Sequence, residues 1–295
     1  MTENEWLAKQ FEGQRGHLRA VAYRMLGSLA EADDAVQDAW LRASRAQGTP
    51  IDNMRGWLTT IVARVSFNML RARRTHREDS WEGHLPDPVV TGEGSSQPEE
   101  EAMLADSVGL ALLVVLDTLV PAERLAFVLH DVFKLPFDEI APIVDRTPAA
   151  ARQLASRARR RVKGASATAP DRDRQRQRQV VDAFFAAARV GDFDGLIALL
   201  DPHVVLRSDF GKRRAPAPAV ITGPSAVAAL ALTGARLPNA ELIPVVINGS
   251  AGVVITVGGR PFSMMGFIVA GGRIVEIDAI VDSRRIKKLA GAALR

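Results

Sequence analysis

The sequence contains no cysteine and no long apolar run. Without cysteine the chain can form no disulfide, thiol redox sensor or cysteine-ligated zinc site. The five histidines show no metal-ligand spacing, so we predict no metal and no other cofactor. The longest apolar run, Val108 to Leu116, is too short to cross a bilayer, and the N-terminal residues lack a signal-peptide pattern. We therefore expect a cytoplasmic protein that does not associate with membranes.

A strong net charge is also missing, although arginine is locally concentrated. The formal net charge is +4, but arginines cluster in residues 64–77 and 146–178, which predicts local basic surfaces. The chain has 295 residues and 47% apolar residues, enough for two or three globular domains.

The stretch from Phe137 to Val162 has the pattern of a helix-turn-helix. Thr147 suits an N-cap, Pro148 suits the first turn, and no glycine or proline follows before Gly164, which predicts a helix from Pro148 to about Lys163. One face of this helix is small and apolar, and the other is polar and basic, as in a helix that reads a DNA major groove. The residues expected to face DNA are Thr147, Ala149, Arg152, Gln153, Ser156, Arg157 and Arg160. A solvated basic helix is the alternative interpretation.

The helices predicted before this one complete a small domain. A very apolar helix is expected over 102–119, a second over 121–133 and a third over 137–144. Pro142 removes one hydrogen bond from the third helix, so a slight kink is expected there.

An acidic face is predicted on the second helix of the chain, Ala30 to Ala46. Five small apolar residues form its inner stripe, namely Ala32, Ala35, Val36, Ala39 and Ala43. Acidic and polar residues lie outside, and the candidates for binding a partner are Asp33, Asp34, Gln37 and Asp38. Because an acidic face repels phosphate, we expect it either to dock a basic protein or to keep the helix soluble.

A basic end is predicted on the third helix, Met54 to Arg77. Cations are favoured at a helix C-terminus by the helix dipole, but this helix has more arginines there than the dipole accounts for. We interpret this end, with the loop before the helix, as a surface that contacts phosphate and an unstacked base. The candidates are Asp52, Asn53, Arg64, Arg71, Arg73, Arg74 and Arg77.

Two linkers divide the chain into three parts. Residues 78–101 are rich in Pro, Gly, Ser and acidic residues, and residues 165–178 are polar. Within the first linker, Trp81, Leu85 and two prolines would form a stiff apolar strip able to lie against another surface. Residues 179–295 show two helices and then short strands, which predicts an α+β domain with a curved antiparallel sheet.

Three ordered motifs resemble extracytoplasmic-function (ECF) RNA polymerase sigma factors of the sigma J type. They are AEADDAVQDAWLRA (30–43), GWLTTIVARVSFNMLRARR (56–74) and PAERLAFVLHDVFKLPFDEIAPIVDRTPAAARQLASRARRRV (121–162). The remainder resembles SnoaL-like domains of the NTF2-like fold through residues 179–209 and 271–282. The resemblance implies a sigma region 2 domain over 1–77, a region 4 helix-turn-helix domain over 102–164 and a SnoaL-like domain over 179–295.

The resemblance also implies the partners and the function. The protein would be a transcription initiation factor rather than an enzyme, with core RNA polymerase and promoter DNA as partners. The acidic helix would dock on the clamp coiled coil of the β′ subunit, and region 4 would meet the β flap. The third helix and the Asn53 loop would hold the −10 element, and the recognition helix would read the −35 element.

Three short segments resemble motifs of this branch of the family. HLPDP (84–88) is similar to a WLPEP-like linker motif, DFGK (209–212) to a DGGGK-like loop, and DSRRIKKL (282–289), which lacks the Asn-Pro opening, to an NPDKL-like segment. We hypothesise that the C-terminal domain regulates the sigma domains in cis, without a separate anti-sigma factor. The residues expected to make the regulatory contacts are Trp81, Leu85, Pro86, Asp209, Gly211 and Lys212.

Two other functions compete with this interpretation. A cone-shaped NTF2-like domain often encloses a pocket, so it could bind a small molecule or catalyse a reaction, with His203, Arg207 and Asp209 as acid-base candidates near the mouth. Such a domain would then be fused to a DNA-binding regulator. An ordinary repressor or activator that uses the helix-turn-helix alone would leave the acidic helix and the basic third helix unexplained.

Overall fold

The computed structural model describes residues 3–46, 51–75, 85–93, 110–165, 171, 173–211, 219–291 and 293–294. Contacts divide the chain into a helical unit, drawn from Met1–Asp79, Pro98–Leu104 and Leu112–Ser166, and an α+β unit, drawn from Ser80–Gln97, Ala105–Ala111 and Ala167–Arg295. Within the described residues, no helix combines the length and apolarity needed to cross a membrane.

Helices build the first unit. They are α1 (Glu3–Leu26), α2 (Leu29–Ala43), α3 (Met54–Thr75), α4 (Leu110–Asp117), α5 (Pro121–Phe127), α6 (Phe137–Ile140) and α7 (Pro148–Ala165). A π-turn (Val128–Val132) continues α5, and a 3-10 turn (Ala141–Ile143) continues α6. Gly27, at a φ of 73°, separates α1 from α2, a left-handed conformation that glycine adopts at little cost.

The bundle of α1, α2 and α3 buries the apolar stripes expected from the sequence. The residues of α2 that are buried are Ala32, Ala35, Val36, Ala39 and Ala43, which confirms the predicted inner stripe. Their small side chains let α2 pack closely on α1, whose Leu18, Val21 and Met25 are fully buried. The packing therefore turns the acidic side of α2 outward.

The helix-turn-helix forms as predicted, with its irregularity at the proline. The α-helical part of α6 ends at Ile140, and the next turn, which contains Pro142, is 3-10 because proline donates no hydrogen bond. Thr147 caps α7, since its Oγ1 accepts from the amide of Ala150 at 3.2 Å.

The α+β unit is built on a seven-stranded sheet. Its elements are β1 (Val90–Gly92), α8 (Arg174–Val190), α9 (Phe193–Leu199), β2 (Leu200–Asp209), β3 (Ala219–Thr222), α10 (Pro224–Gly234), β4 (Ala240–Ile247), β5 (Ser250–Val257), β6 (Arg260–Ala270), β7 (Arg273–Ile280) and α11 (Ser283–Ala290). The strand order is β1-β4-β5-β6-β7-β2-β3. Neighbouring strands are antiparallel except β2 and β7, which are parallel.

The two faces of this sheet are covered by different elements. Helices α8, α9 and α10 pack on one face around a core that includes Phe184, Leu196 and Phe267. On the other face α11 packs against β6 and approaches β1. This is the α+β architecture predicted for residues 179–295, except that the sheet, predicted to be antiparallel, contains the parallel pair β2 and β7.

Both predicted linkers contribute ordered elements to this unit. Helix α8 begins at Arg174 rather than Gln179, because the Asp173 carboxylate accepts from the amides of Gln175 and Arg176 and so caps the helix. Residues 85–93 of the first linker also belong to this unit, and β1 within them pairs with β4, Val90 opposite Ile247. The sequence patterns missed β1 and β3, which have three and four residues.

Candidate functional site

The recognition helix α7 exposes its polar face. Ala151, Ala155 and Ala158 are fully buried, whereas Arg152, Gln153 and Arg160 are exposed. The Arg152 guanidinium lies 5.3 Å from the centre of the Phe137 ring on α6. A cation stacked in this way retains its donors for an external acceptor.

Of the other residues at α7 predicted to face DNA, some are exposed to solvent and one lies near helix α5. Thr147 and Ala149 are exposed and Ser156 is half-buried. Arg157 lies 3.6 Å from Glu123 of α5, a carboxylate that also receives Arg161 at 3.0 Å. Glu123 is buried, so it anchors the middle of α7 to α5.

The acidic face of α2 is exposed at the positions predicted. Asp33, Asp34, Gln37 and Asp38 all lie on the surface. Asp33 pairs with Arg19 of α1 at 2.6 Å, in a half-exposed bridge. The surface therefore presents carboxylates at Asp34 and Asp38 with the amide of Gln37 between them.

The basic end of α3 is only partly available to a ligand. Arg64 and Arg71 are exposed, and Arg71 lies 5.8 Å from the centre of the Phe67 ring. Arg73 instead turns inward, where it contacts Glu31 and donates to the Leu26 carbonyl at 3.1 Å. Arg73, predicted to contact the −10 element, is thus 21% exposed and held by a carboxylate of α2.

The loop before α3 uses one of its predicted residues as a helix cap. The Asn53 Oδ1 accepts from the Gly56 amide at 2.9 Å, and a side chain at Gly56 would collide with Asn53. Asp52 and Asn53 are both exposed. The cap fixes the direction in which this loop presents its polar groups.

Two buried arginines join α1 to α5 and its π-turn. Arg24 and Arg124 are each 2% exposed. Arg124 donates to the Arg24 carbonyl at 3.2 Å and to Asp117 at 2.9 Å, and the Arg24 guanidinium lies 5.1 Å from the centre of the Phe133 ring. Burial lowers the pKa of Arg24 to about 10, so it stays charged at neutral pH.

His17 lies beside this contact and is held neutral. Its ring meets Phe133 edge-on at 5.3 Å, and its nitrogens lie 3.0 Å from Thr59 and from Arg55. Burial, with the charges of Arg55 and Arg24, lowers the His17 pKa to about 4. Helix α3 also reaches the 3-10 turn that follows α6, where Arg64 donates to the Pro142 carbonyl at 3.3 Å. The bundle of α1, α2 and α3 thus packs against the helices α5 to α7 within one unit.

The first linker binds the edge of the α+β unit through one buried carboxylate. Asp209, at the end of β2, is 1% exposed. It accepts from the Leu85 amide at 2.9 Å, from the Gly211 amide at 2.9 Å and from Arg285 at 2.6 Å. Three donors on one carboxylate make this a fixed anchor for residue 85.

Arg285 of α11 is the second half of this anchor. It pairs with Asp87 at 2.7 Å and also donates to the Leu85 carbonyl. Asp282 caps α11, and its Oδ2 would meet a side chain at position 211, where φ is +72°. Gly211 is therefore required both by conformation and by space.

Further along the linker, Asn248 and Arg178 hold the strand β1. The backbone amide of Val89 donates to the Asn248 Oδ1 at 2.7 Å, and the Val89 carbonyl accepts from the backbone amide of Asn248 at 2.9 Å. Arg178 contacts Glu93 and donates to the Val245 and Gly252 carbonyls. Leu85 and Val89 are buried, so the segment 85–93, called the docked linker below, is part of the fold.

Several predicted residues lie outside what the structure describes. These are Trp81 and Lys212 among the regulatory candidates, Arg77, and the side chain of Arg74. Pro86 is described and buried within the docked linker. The residues missed by sequence reasoning are Arg285, Asn248 and Arg178. The signal for Arg285 was its place in the segment 282–289, which resembles a branch motif but lacks its Asn-Pro opening.

The acid-base candidates are not among the described residues that line the cavity of the α+β unit. Leu206 and Ser208 of β2 line the cavity of the α+β unit, so Arg207 and Asp209 point to the opposite face of the sheet. His203 is exposed near the start of the strand. The site expected by the catalytic alternative is therefore not formed at this cavity, because Arg207 and Asp209 lie on the opposite face of the sheet and His203 is outside the described lining.

Arg207 instead completes a buried charge cluster with two acids of β7. It contacts Glu276 and lies 3.0 Å from Asp278, which is 2% exposed. Burial, with the neighbouring charge of Glu276, raises the pKa of Asp278 to about 8, and Arg207 opposes that shift. The folded protein thus retains a proton on Asp278 that the unfolded chain releases near the ordinary value of 3.8.

Asp278→Asn should make stability less dependent on pH. Since the raised pKa stabilises the fold below pH 4, and that contribution is lost as pH rises towards 8, wild type should lose stability across this window. In the variant, the free energy of unfolding should fall less steeply with pH. The difference in slope should be about 1.4 kcal/mol per pH unit, the value for one proton. Urea unfolding at pH 5, 6 and 7.5 measures it, with the exposed Asp194→Asn as control. Equal slopes in wild type and Asp278→Asn would contradict the assignment.

The chain is similar to known proteins over its whole length. Residues 11–76 match the family model for sigma-70 region 2, and residues 109–162 match that for sigma-70 region 4. The ECF RNA polymerase sigma factor SigJ of Mycobacterium tuberculosis is 42% identical over 201 residues, 68% of this chain and 64% of that protein. The probable ECF RNA polymerase sigma factor SigI of the same species is 32% identical over 292 residues, 98% of each chain.

A solved structure extends the similarity to the fold. The crystal structure of Mycobacterium tuberculosis SigJ matches with a TM-score of 0.74 at 33% identity, covering 95% of this chain and 98% of that one. Its match spans both the helical unit and the α+β unit described above.

Proposed function

Because the chain belongs to the extracytoplasmic-function family of RNA polymerase sigma factors, we propose that it binds core RNA polymerase and directs transcription initiation from promoters with −35 and −10 elements. The observation that carries the proposal is the exposed basic face of the capped helix α7, present in the same chain as the exposed acidic face of α2. A DNA-binding regulator needs the first face but has no use for the second.

Each surface has one role in this proposal. Helix α7 reads the −35 element through Arg152 and Gln153, whose bidentate donors and acceptors match base edges in a major groove. Helix α3 and the Asn53 loop hold the −10 element, with Arg64 and Arg71 on phosphates. The acidic face of α2 binds the clamp coiled coil of the β′ subunit, and the helix-turn-helix motif meets the β flap.

Reversing the charge of the acidic face tests the polymerase contact. Asp34→Lys with Asp38→Lys should weaken binding to core polymerase at least tenfold, because attraction at two positions becomes repulsion. Competition with a labelled sigma factor for core polymerase measures this loss. Asp182→Lys with Asp194→Lys changes the net charge equally in the α+β unit and should bind within twofold of wild type. Unchanged binding by the α2 variant would overturn the assigned surface.

The packed helical unit represents a closed state in this proposal. The −35 and −10 elements are centred about 25 base pairs, or about 85 Å, apart on B-DNA. Helices in direct contact cannot occupy both elements, so the contact between Arg24 and Arg124 must open when the promoter is bound. Phe133 and His17 take part in the same contact, which the energy of binding to polymerase and promoter would have to break.

The docked linker provides regulation in cis. Residues 76–84 and 94–109 join it to α3 and α4, and nine extended residues reach at most about 30 Å. Docking therefore shortens the tether between the α+β unit and helices α3 and α4, which raises the effective concentration of that unit for the helical unit. We propose that anchoring by Asp209 and Arg285 favours the closed state, with no separate anti-sigma factor required. Releasing this anchor should then raise promoter-dependent transcription.

A further inference from the structure

The α+β unit contains a cavity that the proposed function does not use. Its volume is about 420 Å³, within the range of small-molecule sites. It lies between the sheet and the helices α8 and α10, and its walls include Phe184, Phe185, Leu206, Leu242, Ile255 and Met265.

The lining of this cavity is apolar with a few hydroxyl groups. Ser208, Thr233 and Ser263 supply the hydroxyls. Among the described residues that line the cavity, the charged one is Arg189, and its side chain is exposed at the last turn of α8. The cluster of Arg207, Glu276 and Asp278 lies on the other face of the sheet. Among the described lining residues, an ionised group placed deep in this cavity would lose its hydration without gaining a charged partner.

The cavity has a firm wall and an apolar entrance. The rings of Phe184, Phe185 and Phe267 pack edge-to-face, with centres 5.5 to 6.0 Å apart, which fixes the wall formed by α8 and β6. Leu230 and Phe262 also line the cavity, yet they are 42% and 38% exposed. Large apolar side chains that remain exposed beside an apolar cavity are typical of an entrance for an apolar ligand.

From this geometry we infer that the cavity binds a neutral, largely apolar small molecule that carries one or two hydrogen-bonding groups. The apolar walls supply the affinity, and the serine and threonine hydroxyls orient the polar group of the ligand. This inference goes beyond the proposed role in transcription and does not depend on it.

A matched pair of fluorescent probes tests the chemical class. N-phenyl-1-naphthylamine is neutral, and 8-anilino-1-naphthalenesulfonate has the same rings with a sulfonate. The full chain should bind the neutral probe with one-to-one saturation, and the sulfonate probe at least tenfold more weakly. Sulfonate binding as tight as neutral binding would overturn the inference, because it would mean that Arg189 recruits an anion.

Variants place the probe in the cavity rather than elsewhere. Ala231→Phe, which adds a ring to the lining from α10, should lower the affinity for the neutral probe at least tenfold. Leu230→Glu changes an exposed residue at the entrance, where the core is not disturbed, and should lower it at least threefold. Phe193→Ala removes an equally exposed aromatic ring outside the lining and should stay within twofold of wild type.

The outcomes are separable from those of the transcription assay. No saturable binding, or equal binding by wild type and Leu230→Glu, would overturn the ligand site even if Ala231→Phe fails to fold. The titration uses neither polymerase nor DNA. A failed titration therefore leaves the proposed function standing, and a failed transcription assay leaves the ligand site standing.

Discussion

Replacing Asp209 by alanine should lower the free energy of unfolding of the α+β unit by about 3 kcal/mol and release the docked linker. The estimate is that for removing one partner of a buried ion pair. Asp209 is 1% exposed and accepts from Leu85, Gly211 and Arg285, so its loss leaves three donors without this acceptor. Asp87 still pairs with Arg285, which places the expected cost at the lower end of the range for buried pairs.

Hydrogen exchange and denaturant unfolding measure the two parts of this prediction. Amide exchange of residues 85–92 should accelerate in Asp209→Ala, because the Leu85 amide loses its acceptor. Asp201→Ala is the control on the same strand, since Asp201 accepts from the nearby His203 amide and should cost less than about 1 kcal/mol. Wild-type exchange in the Asp209 variant would mean that the carboxylate does not anchor the linker.

The same pair of variants tests regulation. At equal protein concentration, Asp209→Ala should increase promoter-dependent transcription, and Asp201→Ala should leave it unchanged. If the linker is released but transcription is not altered, the docked linker has a structural role and cis regulation by this anchor is wrong.

Arg152→Ala should relax base discrimination at one position of the −35 element by about 1–3 kcal/mol. Arg152 is exposed on the first turns of α7, and stacking on Phe137 orients its guanidinium. A bidentate contact to a base is lost when the side chain is removed, whereas contacts to other bases remain. Transcription from a library of −35 variants should therefore show weaker preference at one position.

Arg71→Ala is the matched comparison, because Arg71 is an exposed arginine of α3. It should weaken promoter binding by a similar factor for every −35 sequence and reduce the salt dependence of binding, as expected for a phosphate contact. An Arg152 variant that weakens all −35 sequences equally would show that this residue contacts phosphate rather than a base.

Local patterns were sufficient to predict the helical unit. The small-residue stripe of α2 and the Thr147-Pro148 start of α7 are both present, because each depends on residues within a few positions of one another. Pro142 was also informative, since the missing donor ends α6 where the sequence placed the kink. These elements present the exposed faces that the function requires.

Long-range pairing could not be read from local patterns. Leu85 meets Arg285 across 200 residues, and Val89 meets Asn248 across 159 residues. The strand β1 has no apolar alternation of its own and exists because β4 offers an edge. The contact between Arg73 and Glu31 could not be predicted for the same reason. Helical periodicity placed Arg73 among basic residues, but it could not show that Glu31 of another helix would bind it.

Reconstitution with core RNA polymerase tests the central claim most directly. The full-length chain, added to core polymerase and a promoter library, should give run-off transcripts that start at a fixed distance from a shared pair of −35 and −10 sequences. Transcripts should be lost when Asp34→Lys is combined with Asp38→Lys, and should be retained in the Asp182→Lys, Asp194→Lys control. Sequence-specific binding of the chain to duplex DNA, with no polymerase-dependent transcript from any promoter, would contradict the claim.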